Sequence, residues 1–226
     1  MKITAAVAGA TGLVGGHVLR RLLEDPRIAR VIAPTRRALP PHPKLDNPII
    51  MSDWPVLPPL DEAYGCLGTT RKIAGSAAAF RAVDLDLAVA FARAAKAGGA
   101  RRFGLVSSAG ANAGSFLLYP RTKGEAEKEI SRLGFETVVI ARPSLLLGER
   151  TVPRAAEKLG ETVLALAKPL LIGPLRKYRA ISGETVAVRR VDEDDDMVVL
   201  GHGETGRFEG SLPIDADLGR PVGIAT

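Results

Sequence analysis

An apolar run that breaks into a glycine-spaced turn and then into a helix constrains this chain more than any other feature. Ile3-Thr4-Ala5-Ala6-Val7-Ala8 reads as a strand, and Gly9-Ala10-Thr11-Gly12-Leu13-Val14-Gly15 follows it directly. In such a turn the first glycine permits the sharp departure from the strand. The second lets a ligand's pyrophosphate approach the backbone, and the third lets the helix pack closely on the strand. A helix opening at this point offers unpaired N–H groups and the positive end of its dipole, which favour an anion. The pattern predicts a dinucleotide-phosphate site in the first βα unit.

The rest of the chain alternates in the same way. A helix is predicted over 12–24, stopped by Asp25-Pro26, and a second strand over 30–34. Half of the sixteen prolines lie between Pro34 and Pro59, which predicts loops around a short third strand near Ile49-Ile50-Met51. Strands are predicted at 63–67, 102–107 and 137–141. Helices are predicted at 76–97, with a break near Val83-Asp84 and a stop at Gly98-Gly99, and at 119–133. Strands separated by helices imply right-handed crossovers. The expected fold is therefore α/β: a Rossmann-like, doubly wound parallel sheet with helices on both faces, in a single domain over 1–226.

Beyond Pro143 the pattern changes. An amphipathic helix is predicted over 152–167, and a late strand at Arg207-Phe208-Glu209. The segment 144–226 is expected to supply a wall of a substrate pocket, with 144–174 ordering when the cofactor binds, because ligand crevices lie at the carboxyl edge of such sheets; the alternative is that 152–167 is an ordinary helix packed on the core or half of a dimer interface.

Charge and composition narrow the function. A net charge of +6 and 31 basic residues suit an anionic ligand. The basic residues are dispersed and aromatics are only 4%, so no nucleic-acid surface is expected. Cys66 is the one cysteine, which excludes an internal disulfide and a cysteine zinc cluster. His17 has no partner ligands in sequence and Asp192–Asp196 reads as a solvated face, so no metal is expected. Cys66 itself reads as a small buried apolar residue, and Trp54 as a loop anchor. No run is long enough to span a bilayer and no signal segment precedes the first strand, so the expectation is a cytoplasmic protein without a membrane contact.

Two further constellations carry chemistry. About twenty residues past the glycine turn, where NAD sites place an acid, stand Thr35-Arg36-Arg37. A pair of guanidinium groups fits a ribose 2′-phosphate, so NADP is expected ahead of NAD. Tyr119-Pro120-Arg121-Thr122-Lys123 puts a tyrosine and a lysine on one helix face. A nearby ammonium makes a phenol a better proton donor and acceptor near neutral pH. Just before it, Arg102-Phe103-Gly104-Leu105-Val106-Ser107-Ser108 ends a strand in hydroxyls. Ser108 is the candidate donor to a substrate carbonyl, with Ser107 its rival.

Taken together these residues resemble the short-chain dehydrogenase/reductase superfamily, in particular its atypical branch, which includes the Tat-interacting oxidoreductase and NmrA-like proteins. The resemblance runs from about Ile3 to Arg150. It rests on Gly9–Gly15, Arg36-Arg37, Cys66-Leu67-Gly68-Thr69-Thr70, Ser107-Ser108, Tyr119/Lys123 and Arg142-Pro143-Ser144-Leu145-Leu146-Leu147-Gly148. It implies Tyr119 as general acid or base, Lys123 as its tuner and the ligand of the nicotinamide ribose, and Ser108 as the group polarising the carbonyl. It also implies cofactor contacts from Gly9, Ala10, Thr11, Gly12, Leu13, Val14, Gly15, Arg36, Arg37, Cys66, Leu67, Gly68, Thr69, Val106, Tyr119, Lys123, Pro143, Ser144, Leu145 and Leu146. The implied function is an NADP(H)-dependent oxidoreductase acting on a small carbonyl or quinone compound. The alternative is an NADP(H)-sensing regulatory protein with little turnover that acts through a protein partner. Either reading is compatible with an oligomer.

Overall fold

In the computed structural model the described residues are 2–51 and 53–143, together with the backbone of five short strands beyond them. The elements before residue 144 are β1 (Ile3–Ala8), α1 (Leu13–Glu24), β2 (Ile28–Ile32), β3 (Leu45–Asp46), β4 (Glu62–Gly65), α2 (Arg71–Ala74), α3 (Ala77–Arg81), a π-helical segment (Ala82–Leu87), α4 (Ala88–Ala97), β5 (Arg102–Val106), α5 (Leu118–Ser131) and β6 (Thr137–Ala141). Beyond them lie β7 (Leu146–Leu147), β8 (Ile181–Ser182), β9 (Met197–Leu200), β10 (Ile214–Asp215) and β11 (Arg220–Pro221).

Seven strands form one sheet in the order β3-β2-β1-β4-β5-β6-β9, and every neighbouring pair is parallel. The expected doubly wound sheet is therefore present. The order reverses between β1 and β4, which pair from Ala5↔Glu62 to Ala8↔Gly65. Beyond the carboxyl ends of two such strands, chains lead away to opposite faces and leave a crevice.

β1 is central and buried on both faces, and its side chains alternate between two cores. Ala6 and Ala8 face a cluster with Phe91, Phe103, Ile130 and Phe135. Ala5 and Val7 face another with Val14, Val18, Leu22, Ile28 and Val31. The small alanines of β1 leave room for the aromatic rings, with Phe103 and Phe135 at 5.0 Å and Phe91 and Phe103 at 6.1 Å.

Several boundaries differ from the sequence reading for identifiable reasons. β2 starts at Ile28, two residues early, because Ile28 already pairs with Ile3 of β1, whose N–H donates to the Arg27 carbonyl at 3.0 Å. β3 is Leu45–Asp46 rather than 49–51. Pro48 cannot donate to a ladder, and Asn47 replaces backbone pairing with its side chain. Its Nδ2 donates to the Ala33 carbonyl at 2.6 Å and to Thr35 Oγ1 at 2.8 Å. Ile49 keeps only an isolated bridge to Thr35. The break expected near Val83-Asp84 is the π-helical segment. Trp54 does anchor a loop: its Nε1 donates to the Leu87 carbonyl at 2.9 Å and its ring lies 4.9 Å from Phe91. The helix expected over 152–167 and the strand at 207–209 lie outside the described residues, as does the acidic run 192–196. The later chain does return to the sheet, because β9 pairs with β6 from Val138↔Met197 to Ala141↔Leu200.

Candidate functional site

The turn after β1 is built on backbone contacts that side chains would prevent. Gly9 has φ +81°, a conformation other residues rarely adopt, and a Cβ there would lie 2.6 Å from the Cys66 carbonyl oxygen. The loops after β1 and β4 thus touch at the point where the strand order reverses. Gly12 donates to the Gly9 carbonyl at 2.8 Å and caps α1 without a side-chain hydrogen bond. A Cβ on Gly15 would stand 2.1 Å from the same carbonyl. This close approach seats the first turn of α1 against the strand end. Ala10 and Val14 are buried in the core, so their side chains hold the turn while Thr11 and Gly12 are exposed at its crest.

At the end of β2 the side chains divide by depth. Thr35 is buried, donates from Oγ1 to the Arg37 carbonyl at 2.6 Å, and accepts from Asn47. Arg36 and Arg37 are exposed, and neither is paired with a carboxylate among the described residues. The buried threonine fixes the bend from which both guanidinium groups project.

The loop after β4 carries Cys66, Leu67, Gly68, Thr69 and Thr70. The Cys66 N–H continues the ladder to the Ala8 carbonyl at 2.9 Å. Its thiol is enclosed by neighbours although part of the residue reaches the surface, and that desolvation pushes its pKa up to about 12. Such a thiol stays protonated and acts as packing, in keeping with the sequence reading. Thr70 caps α2 by accepting from the Ile73 N–H at 3.3 Å.

The carboxyl end of β5 separates the two serines. Ser107 donates to Glu127, and Glu127 also accepts from Arg142, whose Nε lies 3.0 Å from Glu127 Oε1. Ser107 is therefore committed to a buried strut joining β5, α5 and the exit of β6. Ser108 Oγ is buried and has no hydrogen-bond partner among the described residues. Of the two rivals, Ser108 holds the uncommitted hydroxyl.

The segment from Ser108 to α5 is short and lies directly on the helix. Asn112 donates to the Pro120 carbonyl at 2.9 Å, and a Cβ on Gly124 would stand 2.2 Å from the Ala113 nitrogen. Gly124 is thus what lets the ten residues between Ser108 and Tyr119 pass across α5. The Tyr119 ring, 45% exposed, stacks on Phe80 at 5.6 Å. Lys123 is buried, with Nζ 2.8 Å from Asp84 Oδ1.

The structure brings Gly9–Gly15 and Cys66–Thr69 together at the switch point and sets Tyr119 and Lys123 on one face of α5. Val106 is partly buried against the α1-side core and Pro143 is buried, its carbonyl accepting from Ala109 at 2.8 Å. Leu146 lies in β7, paired with Ile181 of β8. Ser144 and Leu145 lie outside the described residues. The sequence reading missed Phe80, Asp84, Gly124 and Glu127. Asp84 had a signal: a carboxylate in line with Phe80, Ala88 and Phe91 on an otherwise apolar helix face. His17 contacts the Arg20 guanidinium one turn along α1, which marks it as a helix-surface residue.

These observations suit a dinucleotide on the molecule's own terms. The crest of the first turn is walled by backbone where any Cβ would intrude, α1 opens with no side chain on its first N–H groups, and a buried hydroxyl at the sheet's carboxyl edge is uncommitted. The strand order and the glycine turn at its reversal define a Rossmann-like, doubly wound fold, shared with solved dehydrogenase-type structures. Among solved structures, the chain superposes on MoeE5 in complex with UDP-glucuronic acid and NAD with a TM-score of 0.65, at 18% identity over 89% of this chain and 77% of that one. A short chain dehydrogenase family protein from Francisella tularensis gives 0.59, at 12% identity over 88% and 97%. No family model matches the chain. It is 42% identical over 164 residues to the protein fmp52, mitochondrial, of Aspergillus fumigatus, covering 67% of this chain and 70% of that one. The chain belongs to the Fmp52 family.

That family corrects one expectation. The curated relatives are named as mitochondrial proteins, which overturns the cytoplasmic reading. The reading rested on the lack of a secretory signal and of a bilayer-length apolar run, and neither feature excludes an organelle.

Proposed function

We propose that this chain is an NADP(H)-dependent oxidoreductase that reduces or oxidises a small carbonyl or quinone compound. The observation that carries the proposal is the buried, unpartnered hydroxyl of Ser108 at the carboxyl edge of β5, in a turn hydrogen-bonded to the start of α5, where Tyr119 and Lys123 stand. A buried polar group without a partner is costly unless a ligand supplies one.

In this reading the turn 9–15 receives the pyrophosphate and Arg36 and Arg37 receive the ribose 2′-phosphate. The bound dinucleotide supplies or accepts a hydride at its nicotinamide. Ser108 Oγ donates a hydrogen bond to the substrate oxygen and draws electron density from the reacting carbon. The Tyr119 hydroxyl gives the proton to that oxygen on reduction and removes it on oxidation. Lys123 reaches the nicotinamide-side ribose. The Phe80 ring holds the phenol by its face.

The test is stopped-flow NADPH oxidation against a panel of quinones, aldehydes and ketones. Turnover lost in Ser108→Ala, with NADPH affinity retained, supports the proposal. Tight NADPH binding with no turnover across the panel replaces it with a cofactor-sensing protein.

A further inference from the structure

α3, the π-helical segment and α5 meet along a two-rung ladder. The first rung is the stack of Phe80 on Tyr119, and the second is the ion pair of Asp84 with Lys123. Each pair of rungs is four residues apart in sequence. In a regular helix a step of four residues drifts by roughly 40°. That drift is small enough to leave Phe80, Asp84 and Ala88 on one face, and all three are buried. The spacing thus points a carboxylate inward, where the lysine meets it.

Asp84 faces two groups, one by charge and one by a hydrogen bond. Oδ1 lies 2.8 Å from Lys123 Nζ, and Oδ2 accepts from the Thr69 N–H at 2.8 Å. Asp84 is 1% exposed and Lys123 6%. Gly68 passes over the pair, and a Cβ there would rest 3.6 Å from Nζ and 3.7 Å from Oδ1. A buried lysine without a counter-charge is strongly disfavoured, so its position follows its carboxylate. The same carboxylate holds the loop after β4 by its backbone.

We propose that Asp84 is a positioning residue that couples the two halves of the dinucleotide site, holding Lys123 against the nicotinamide-side ribose and the Thr69 backbone against the phosphates. The inference rests on the nucleotide-binding reading above and adds to it a residue outside that mechanism. The carboxylate meets Lys123 Nζ by charge rather than by an aligned hydrogen bond, and that charge fixes where the ammonium stands. Without the carboxylate the ammonium loses the counter-charge that places it, and the loss would fall on the ribose that the proposed function assigns to the lysine.

Calorimetric titration with NADPH and with ADP tests this, because ADP lacks the nicotinamide-side ribose. Asp84→Asn keeps the side chain's shape and an acceptor for Thr69. It should weaken NADPH at least tenfold and ADP less than twofold. Lys123→Gln should show the same split, and the double variant should lose no more than Lys123→Gln alone. A purely structural role would weaken both ligands alike. Equal losses, no loss in Asp84→Asn, or losses that add in the double variant overturn the inference. Amide exchange at Thr69 in the unsubstituted protein gives a measure independent of any variant. NADPH should slow it at least tenfold more than ADP does, and equal slowing overturns the inference. If the unsubstituted chain binds no NADPH, both this inference and the proposed function fall. If it binds and the split is absent, only this one falls.

Discussion

The Tyr119 ring lies against the Phe80 ring with centroids 5.6 Å apart and planes inclined by 28°. Phe80 is 1% exposed and Tyr119 45%, so the stack joins the core to the surface of the site. One turn further along both elements the contact changes from apolar to ionic, at Asp84 and Lys123. The phenol is therefore held by packing and the lysine by charge, and the two can be perturbed separately.

Tyr119→Phe should abolish turnover and leave NADPH affinity within about twofold, because the hydroxyl acts in the transition state while the ring keeps its stack. Lys123→Ala should damage turnover and affinity together. Single-turnover rates and calorimetric affinities on the same preparations separate the two outcomes.

Arg36 and Arg37 should carry the choice of cofactor. Charge-assisted bonds to phosphate are worth roughly 1.5–3 kcal/mol each, and exposure places these two toward the low end. Replacing both with alanine should weaken NADPH by about tenfold or more and leave NADH nearly unchanged. Equal affinity for the two cofactors in the unsubstituted protein would contradict the assignment.

Gly124→Ala should act on the site through the backbone. The added Cβ would stand 2.2 Å from the Ala113 nitrogen, so the segment carrying Ser108 must lift from α5. Overpacking of this kind costs roughly 1–3 kcal/mol. The expected result is a lowered thermal midpoint with turnover reduced well beyond any change in NADPH affinity.

Cys66 should resist alkylation at pH 8 in the folded protein, because burial pushes its pKa up to about 12 from 9.0. The fold favours the neutral thiol, so this contribution to stability is complete below about pH 9. It is lost as pH rises from there through 12. Cys66→Ala should flatten that alkaline decline in denaturant titrations across the same range. Rapid labelling of the native chain at pH 8 would show the thiol to be accessible after all.

Phe103→Ala should destabilise by roughly 3–5 kcal/mol, since the ring is fully buried between Phe91 and Phe135. Urea unfolding followed by Trp54 fluorescence reads the loss, because Trp54 packs on Phe91.

What the sequence determined by itself is local. The apolar run Ile3–Ala8 and the spacing of Gly9, Gly12 and Gly15 specify a strand, a turn and a helix within fifteen residues, and steric limits on the backbone permit little else. The alternation of strand and helix then sets the handedness of the crossovers and so the parallel sheet. β6 was legible to the residue, because its apolar run is bounded by Gly134 and Pro143. The pairing of distant segments was decided only by tertiary structure. Ser107 and Ser108 are indistinguishable in sequence, and they part company because Glu127 and Arg142 arrive at one of them from α5 and the end of β6. The helix-face spacing of Asp84 was legible, but its partners were not: Lys123 and Thr69 meet it from 39 residues ahead and 15 behind. Such contacts depend on how elements pack, and packing depends on the whole fold.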